Sequence, residues 1–167
     1  LLDSTRSQIP FNDRREVYSP FQLANDGTIF FTRETKTGNR EYISLLEVIS
    51  NKPYSNTFKA TAIDLQKKYI DGAQIKIDNM NNNFIVNSFY YSEKRGGSIE
   101  GLFSAIVNKE TGYFKAGFNA FNDTLRLKVN SSGPYRFAFD NMFLKDIFVK
   151  RDGSYVLVAE DFTSQNL

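Results

Sequence analysis

The chain has 167 residues, with 21 Lys and Arg against 19 Asp and Glu, and no Cys, His or Trp. That length suits one domain with a substantial core, and a net charge of +2 points to neither nucleic acid nor an acidic partner. The missing residue types exclude Cys/His zinc sites, thiol nucleophiles, Ser-His-Asp triads and histidine acid–base chemistry, so no catalytic residue, cofactor or metal site is expected.

Hydrophobic residues make up 41% of the chain and charged residues 24%, a folded rather than a disordered balance. No apolar run approaches the length of a membrane-spanning helix. The opening Leu1-Leu2-Asp3 has no Met, basic region or apolar region. Any leader or upstream domain is therefore expected to lie outside these residues. The absence of Cys suits a reducing compartment or an envelope protein that does without disulfides.

Strand patterns dominate in chain order. The first is the β-branched and aromatic run 28–32, followed by the longer 42–49. Phe58, Ala60 and Ala62 alternate with polar residues, the period of a half-buried strand. Further strands are expected at 74–77, 84–91, 99–107, 113–121, 143–149 and 155–159. Leu125 and Val129, four apart, suggest a turn or two of helix over 122–129. Asp26-Gly27 and Asp152-Gly153 are read as two-residue type I′ hairpin turns, and 79–83, rich in Asn, as a longer one. Thr37-Gly38-Asn39, Gly96-Gly97 and Thr111-Gly112 mark the other reversals. Short strands punctuated in this way predict an antiparallel all-β protein.

The hairpins repeat. Those around Gly27, Asn83 and Gly153 resemble one another, and the first two are each followed by a second strand pair. Four antiparallel strands per repeat is the pattern of a β-propeller blade. The chain then reads as a single all-β unit over 1–167, β-propeller-like, with repeats 18–64 and 70–122, an incomplete repeat 143–167, and a connection at 123–142. About two and a half blades cannot close a ring, so a fragment of a larger ring is expected. The alternative is a β-sandwich.

The runs 75–78, 83–92, 98–103 and 108–112, then 144–147, 151–154 and 156–160, resemble a pattern in uncharacterised exported proteins of the Bacteroidetes. Residues 9–13 and 19–31 fit it more loosely. The resemblance implies a propeller-like β fold, an exported protein and no assigned activity. It places the protein in the periplasm, at the outer membrane or on the cell surface. Asp3-Ser4-Thr5 and Asp123-Thr124-Leu125 look like the O-glycosylation acceptors of such proteins. Asn122-Asp123-Thr124 and Asn130-Ser131-Ser132 match the N-linked acceptor.

Candidate sites are few. Asp71, Asp78, Asp146 and Glu160 are the carboxylates that a glycosidase would use, although nothing in the sequence pairs them. Asp78 with Asn79, Asn81, Asn82 and Asn83 is oxygen-rich, as Ca²⁺ prefers, but reads better as a solvated turn. The basic doublets 14–15, 67–68, 94–95 and 150–151 are scattered as solvated edges. An aromatic that faces away from Phe89, such as Tyr90 or Tyr91, could meet a partner or a sugar, although packing between neighbouring blades is the better reading. The hairpin 143–160 would leave an apolar face and an open edge, to be covered by another chain or by further residues of the same protein, with Phe148, Tyr155 or Leu157 in contact. The expected function is a non-catalytic binding or scaffolding element of a bacterial cell-envelope assembly. The alternatives are a carbohydrate-binding protein and a carboxylate-dependent glycosidase.

Overall fold

The computed structural model describes residues 16–36, 43–70, 72–91, 99–112, 114–129 and 142–161. Among these, twelve strands and one short helix follow in order. The strands are β1 (Glu16–Tyr18), β2 (Gln22–Leu23), β3 (Ile29–Lys36), β4 (Ile43–Asn51), β5 (Lys59–Ile63), β6 (Tyr69–Ile70), β7 (Gln74–Asp78), β8 (Asn83–Tyr91), β9 (Ile99–Asn108), β10 (Phe114–Ala120), β11 (Met142–Val149) and β12 (Tyr155–Asp161). The helix α1 (Asp123–Val129) lies between β10 and β11. The protein is therefore all-β with antiparallel pairing, as its alternating and aromatic runs predict.

Consecutive strands pair in two meanders, β2-β3-β4-β5 and β7-β8-β9-β10. The short β6 joins them, pairing Ile70 with Ile43 on one side and with Tyr90 on the other. The hairpin β11-β12 forms a separate sheet with a bulge between Leu144 and Asp146. Among the described residues neither sheet closes on itself.

The meanders meet face to face. Phe30 of β3 and Phe84 of β8 stand 5.1 Å apart, in a core that includes Val48, Ile63, Ile75, Val86, Phe103 and Val107. Alternate residues of a strand point to opposite faces, so Phe89 and Tyr91 turn the other way. They form a second core with Ile99 and Leu144, against which Leu157 packs. The second meander is thus covered on both sides, and all of β8 after Asn83 is buried. The Glu34 carboxylate, buried on β3, accepts the Ala73 amide ahead of β7 and ties the two meanders together.

The Asp-Gly turns differ from the two-residue type expected. In each, the amide of the residue after Asp donates back to a carbonyl: Gly27 N to Ala24 O at 3.0 Å and Gly153 N to Lys150 O at 3.1 Å. The flanking amides close the loop, Ala24 N to Thr28 O and Lys150 N to Ser154 O. Positive φ falls on Gly27 and Gly153 and not on Asp26 or Asp152. This is the three-residue loop, a type I turn followed by a left-handed glycine bulge. The Asp carboxylate explains the choice. Asp26 Oδ1 accepts the Thr28 amide at 2.9 Å and Asp152 Oδ1 the Ser154 amide at 3.0 Å. A type I′ turn would require positive φ at the Asp as well.

Candidate functional site

The three first hairpins lie side by side, with that of β7-β8 in the middle. Both β2 and β11 lie against β7. Asn79, in the β7-β8 turn, accepts the Asn25 amide through Oδ1 at 3.1 Å and the Lys109 ammonium at 3.0 Å. On the other side Asn81 Nδ2 reaches Arg151 O at 3.5 Å. The Asn-rich run is therefore occupied as a turn. Asp78 accepts the Met80 and Asn81 amides, both at 3.1 Å, and Asn81 Nδ2 at 2.8 Å. These bonds use both carboxylate oxygens and account for the burial of Asp78.

The other carboxylates are also engaged locally. Asp146 accepts the Ile147 amide at 2.7 Å and Lys76 Nζ at 3.3 Å. Glu160 accepts Lys145 Nζ at 3.1 Å. Among the described residues no group of three or more acids is placed to hold a metal. Asp71, the doublets at 14–15 and 94–95, the acceptors at 3–5 and 130–132, and the turns at 37–39 and 96–97 lie outside the described residues. Asn122, in contrast, caps α1: its Oδ1 accepts the Leu125 amide at 2.9 Å.

Of the expected contact residues, Tyr90 and Tyr91 are buried within the chain. Tyr90 packs edge-on to Phe118 at 5.0 Å with Lys68 Nζ above its ring. Burial, and after it the Glu100 charge, raises its phenol above the ordinary tyrosine range. Tyr91 joins the second core because β11 covers that face. The hairpin residues divide by parity. Tyr155 and Leu157 turn inward and are half-buried, whereas Phe148 turns outward and is 56% exposed. Val156 and Val158 share that outer face. The opposite end of the stack is also apolar. Phe21, Leu23 and Ile29 are exposed on the outer face of the first meander, beside the buried Phe31, whose ring meets Phe21 at 4.9 Å.

A second feature escaped the sequence reading. A cleft of about 330 Å³ opens where the meanders meet, at the end that carries the turns. Asp26, Thr28 and Phe30 come from the first hairpin, and Ser50, Lys52, Ser55, Thr57 and Lys59 from β4, β5 and their connection. Asn82, Lys109 and Glu110 come from the second meander. Lys52 and Lys59, close in sequence, thus line one space with the distant Lys109. The Thr28 amide, with the Thr28 hydroxyl and the Lys109 cation adding to it, holds Asp26 below the ordinary carboxylate range.

No protein-family profile, curated protein or solved structure matches this chain.

Proposed function

We propose that this chain is a non-catalytic binding and scaffolding element of a propeller-like β assembly. Its four-stranded units stack face to face, and other protein covers the two apolar ends of the stack. The observation that carries this reading is the outer faces themselves: Phe148, Val156 and Val158 at one end, Phe21, Leu23 and Ile29 at the other. Contiguous exposed apolar surface of this kind marks interaction sites. The repeat supports a propeller-like arrangement. The first strands of three successive units lie side by side, and two of their turns share the same hydrogen bonds. The hairpin β11-β12 then corresponds to the first two strands of a third unit. The proposed place is the bacterial envelope, in the periplasm, at the outer membrane or on the cell surface, a reading that rests on the sequence pattern alone.

Sedimentation velocity over a range of concentrations tests the reading. The free chain should associate through its ends, and Phe148→Asp or Leu23→Asp should suppress association without unfolding the protein. A chain that stays monomeric at every concentration would remove the main support for an assembly role.

A further inference from the structure

The first and third hairpins share one register. In the first, Leu23 lies opposite Ile29 and Gln22 opposite Phe30. In the third, Val149 lies opposite Tyr155 and Phe148 opposite Val156. Their turns close through the same bonds, so Ile29 corresponds to Tyr155 and Phe30 to Val156. The β7-β8 hairpin between them keeps the alternation, with Ile77 opposite Phe84 and Lys76 opposite Ile85.

Alternate residues of a strand point to opposite faces, so each hairpin has a backward face, toward the unit before, and a forward face, toward the unit after. The backward pairs are Leu23-Ile29, Ile77-Phe84 and Val149-Tyr155. Ile77 and Phe84 pack into the core shared with the first meander, and Val149 and Tyr155 are half-buried. The forward pairs are Gln22-Phe30, Lys76-Ile85 and Phe148-Val156. Phe30 meets Phe84 at 5.1 Å, Lys76 reaches Asp146 of β11 at 3.3 Å, and Ile85 is fully buried.

Two faces of this set remain exposed and apolar. One is the forward face of the third hairpin, with Phe148 and Val156. The other is the backward face of the first meander, with Phe21, Leu23 and Ile29. They are the two halves of a contact that the chain makes twice internally, from the first unit to the second and from the second to the third. Val156 stands where Phe30 stands, and Ile29 where Phe84 stands.

We infer that the chain docks on a second copy of itself head to tail, the third hairpin of one copy receiving the first meander of the next, with Val156 against Ile29 as Phe30 is against Phe84. This names the partner for the assembly proposed above and rests on that reading. A contact between two different faces leaves one of each free, so it propagates unless its rotation closes a ring.

Mixed variants in sedimentation velocity test it. Leu23→Asp blocks the backward face and Phe148→Asp the forward one, so each alone should be a monomer. An equal mixture should form a one-to-one dimer and nothing larger, because one intact face of each kind remains. Cross-linking reads the register without adding charge. The chain has no Cys, so Ile29→Cys and Val156→Cys each place a single thiol. A short bismaleimide should join one variant to the other, told apart by a size tag, and neither to itself. Met80→Cys, at an exposed turn, sets the level of collisional cross-linking. Val156→Cys chains that join one another above that level would overturn the head-to-tail contact and leave the assembly reading standing. So would a wild-type chain that associates while the mixture of blocked variants stays monomeric. A wild-type chain that is monomeric at every concentration would overturn both.

Discussion

The strands β8 and β12 have similar compositions and opposite surroundings. Both carry continuous runs of aliphatic and aromatic residues, Phe84-Ile85-Val86 in one and Tyr155-Val156-Leu157-Val158 in the other. In β8 every residue after Asn83 is buried, because the first meander covers one face and β11 the other. In β12 only the inward face is partly covered, and Val156 and Val158 meet solvent. A run that is apolar on both faces is therefore a statement about neighbours. It shows where a strand expects two covering layers, and in β12 the described residues supply one.

The largest expected effect probes the crowded side of this contrast. Gly101 of β9 lies opposite Tyr90, and a Cβ there would run into Asn119 O, Ala120 Cα and the Tyr90 ring. Gly101→Ala should cost about 3 kcal/mol or more in urea unfolding, since backbone atoms cannot yield as a side chain can. Gly117 on the adjacent β10 has open space around it, so Gly117→Ala should change stability by less than about 0.5 kcal/mol.

Next come matched truncations. Val86→Ala removes two methyl groups from a fully buried site and should cost about 2 kcal/mol. Val156→Ala, on the open face, should cost less than about 0.5 kcal/mol in the dissociated chain. A large loss at Val156 in dilute protein would show that β12 is covered after all.

A third test compares turns. Asp78 is buried and its oxygens hold three turn donors. Asp78→Ala should cost about 2 kcal/mol in the same assay, because three turn donors lose one charged acceptor. The exposed Asp152 should cost less, although its turn has the same form as that of Asp26.

The smallest effect is that of acid. Asp146 is held below the ordinary carboxylate range by the Ile147 amide and then by Lys76. Asp152 is held low by the Ser154 hydroxyl and amide. A depressed folded-state pKa gives stability that is present above the unfolded value and lost as pH falls through the folded one. Amide exchange at Ile147 and Ser154, corrected for its intrinsic pH dependence, should therefore lose protection below about pH 4, while Val86 in β8 keeps its own.

Much of this contrast was legible in the sequence. The runs at 84–91 and 99–107 mark the central strands within a residue or two, because their length and composition reflect burial directly. The Asp-Gly pairs located two hairpin turns but not their type. Glycine signals positive φ at one position, and only the carboxylate-to-amide bond shows that the Asp does not share it. Positive φ at both central residues occurs instead at Gln66-Lys67, where the Asp64 side chain accepts the Gln66 amide and no glycine advertises the turn. The strands β1 and β6 carry too few residues to show a period. The cleft was invisible for another reason: Lys52 and Lys59 flank one reversal and Lys109 sits at another, and only the face-to-face stacking of the meanders brings them to one space.

The pairing order also bears on synthesis. Among the described residues every ladder joins strands consecutive in sequence, except β1-β3, β4-β6 and β6-β8, and each of these skips a single strand. None of these strands must wait for a distant partner, so the ordering cost of each ladder is that of a short loop. A chain emerging from the ribosome can complete the β2-β5 meander before β7 exists. It then fastens the second meander to the first through the two residues of β6, which makes Tyr69-Ile70 the clasp of co-translational folding.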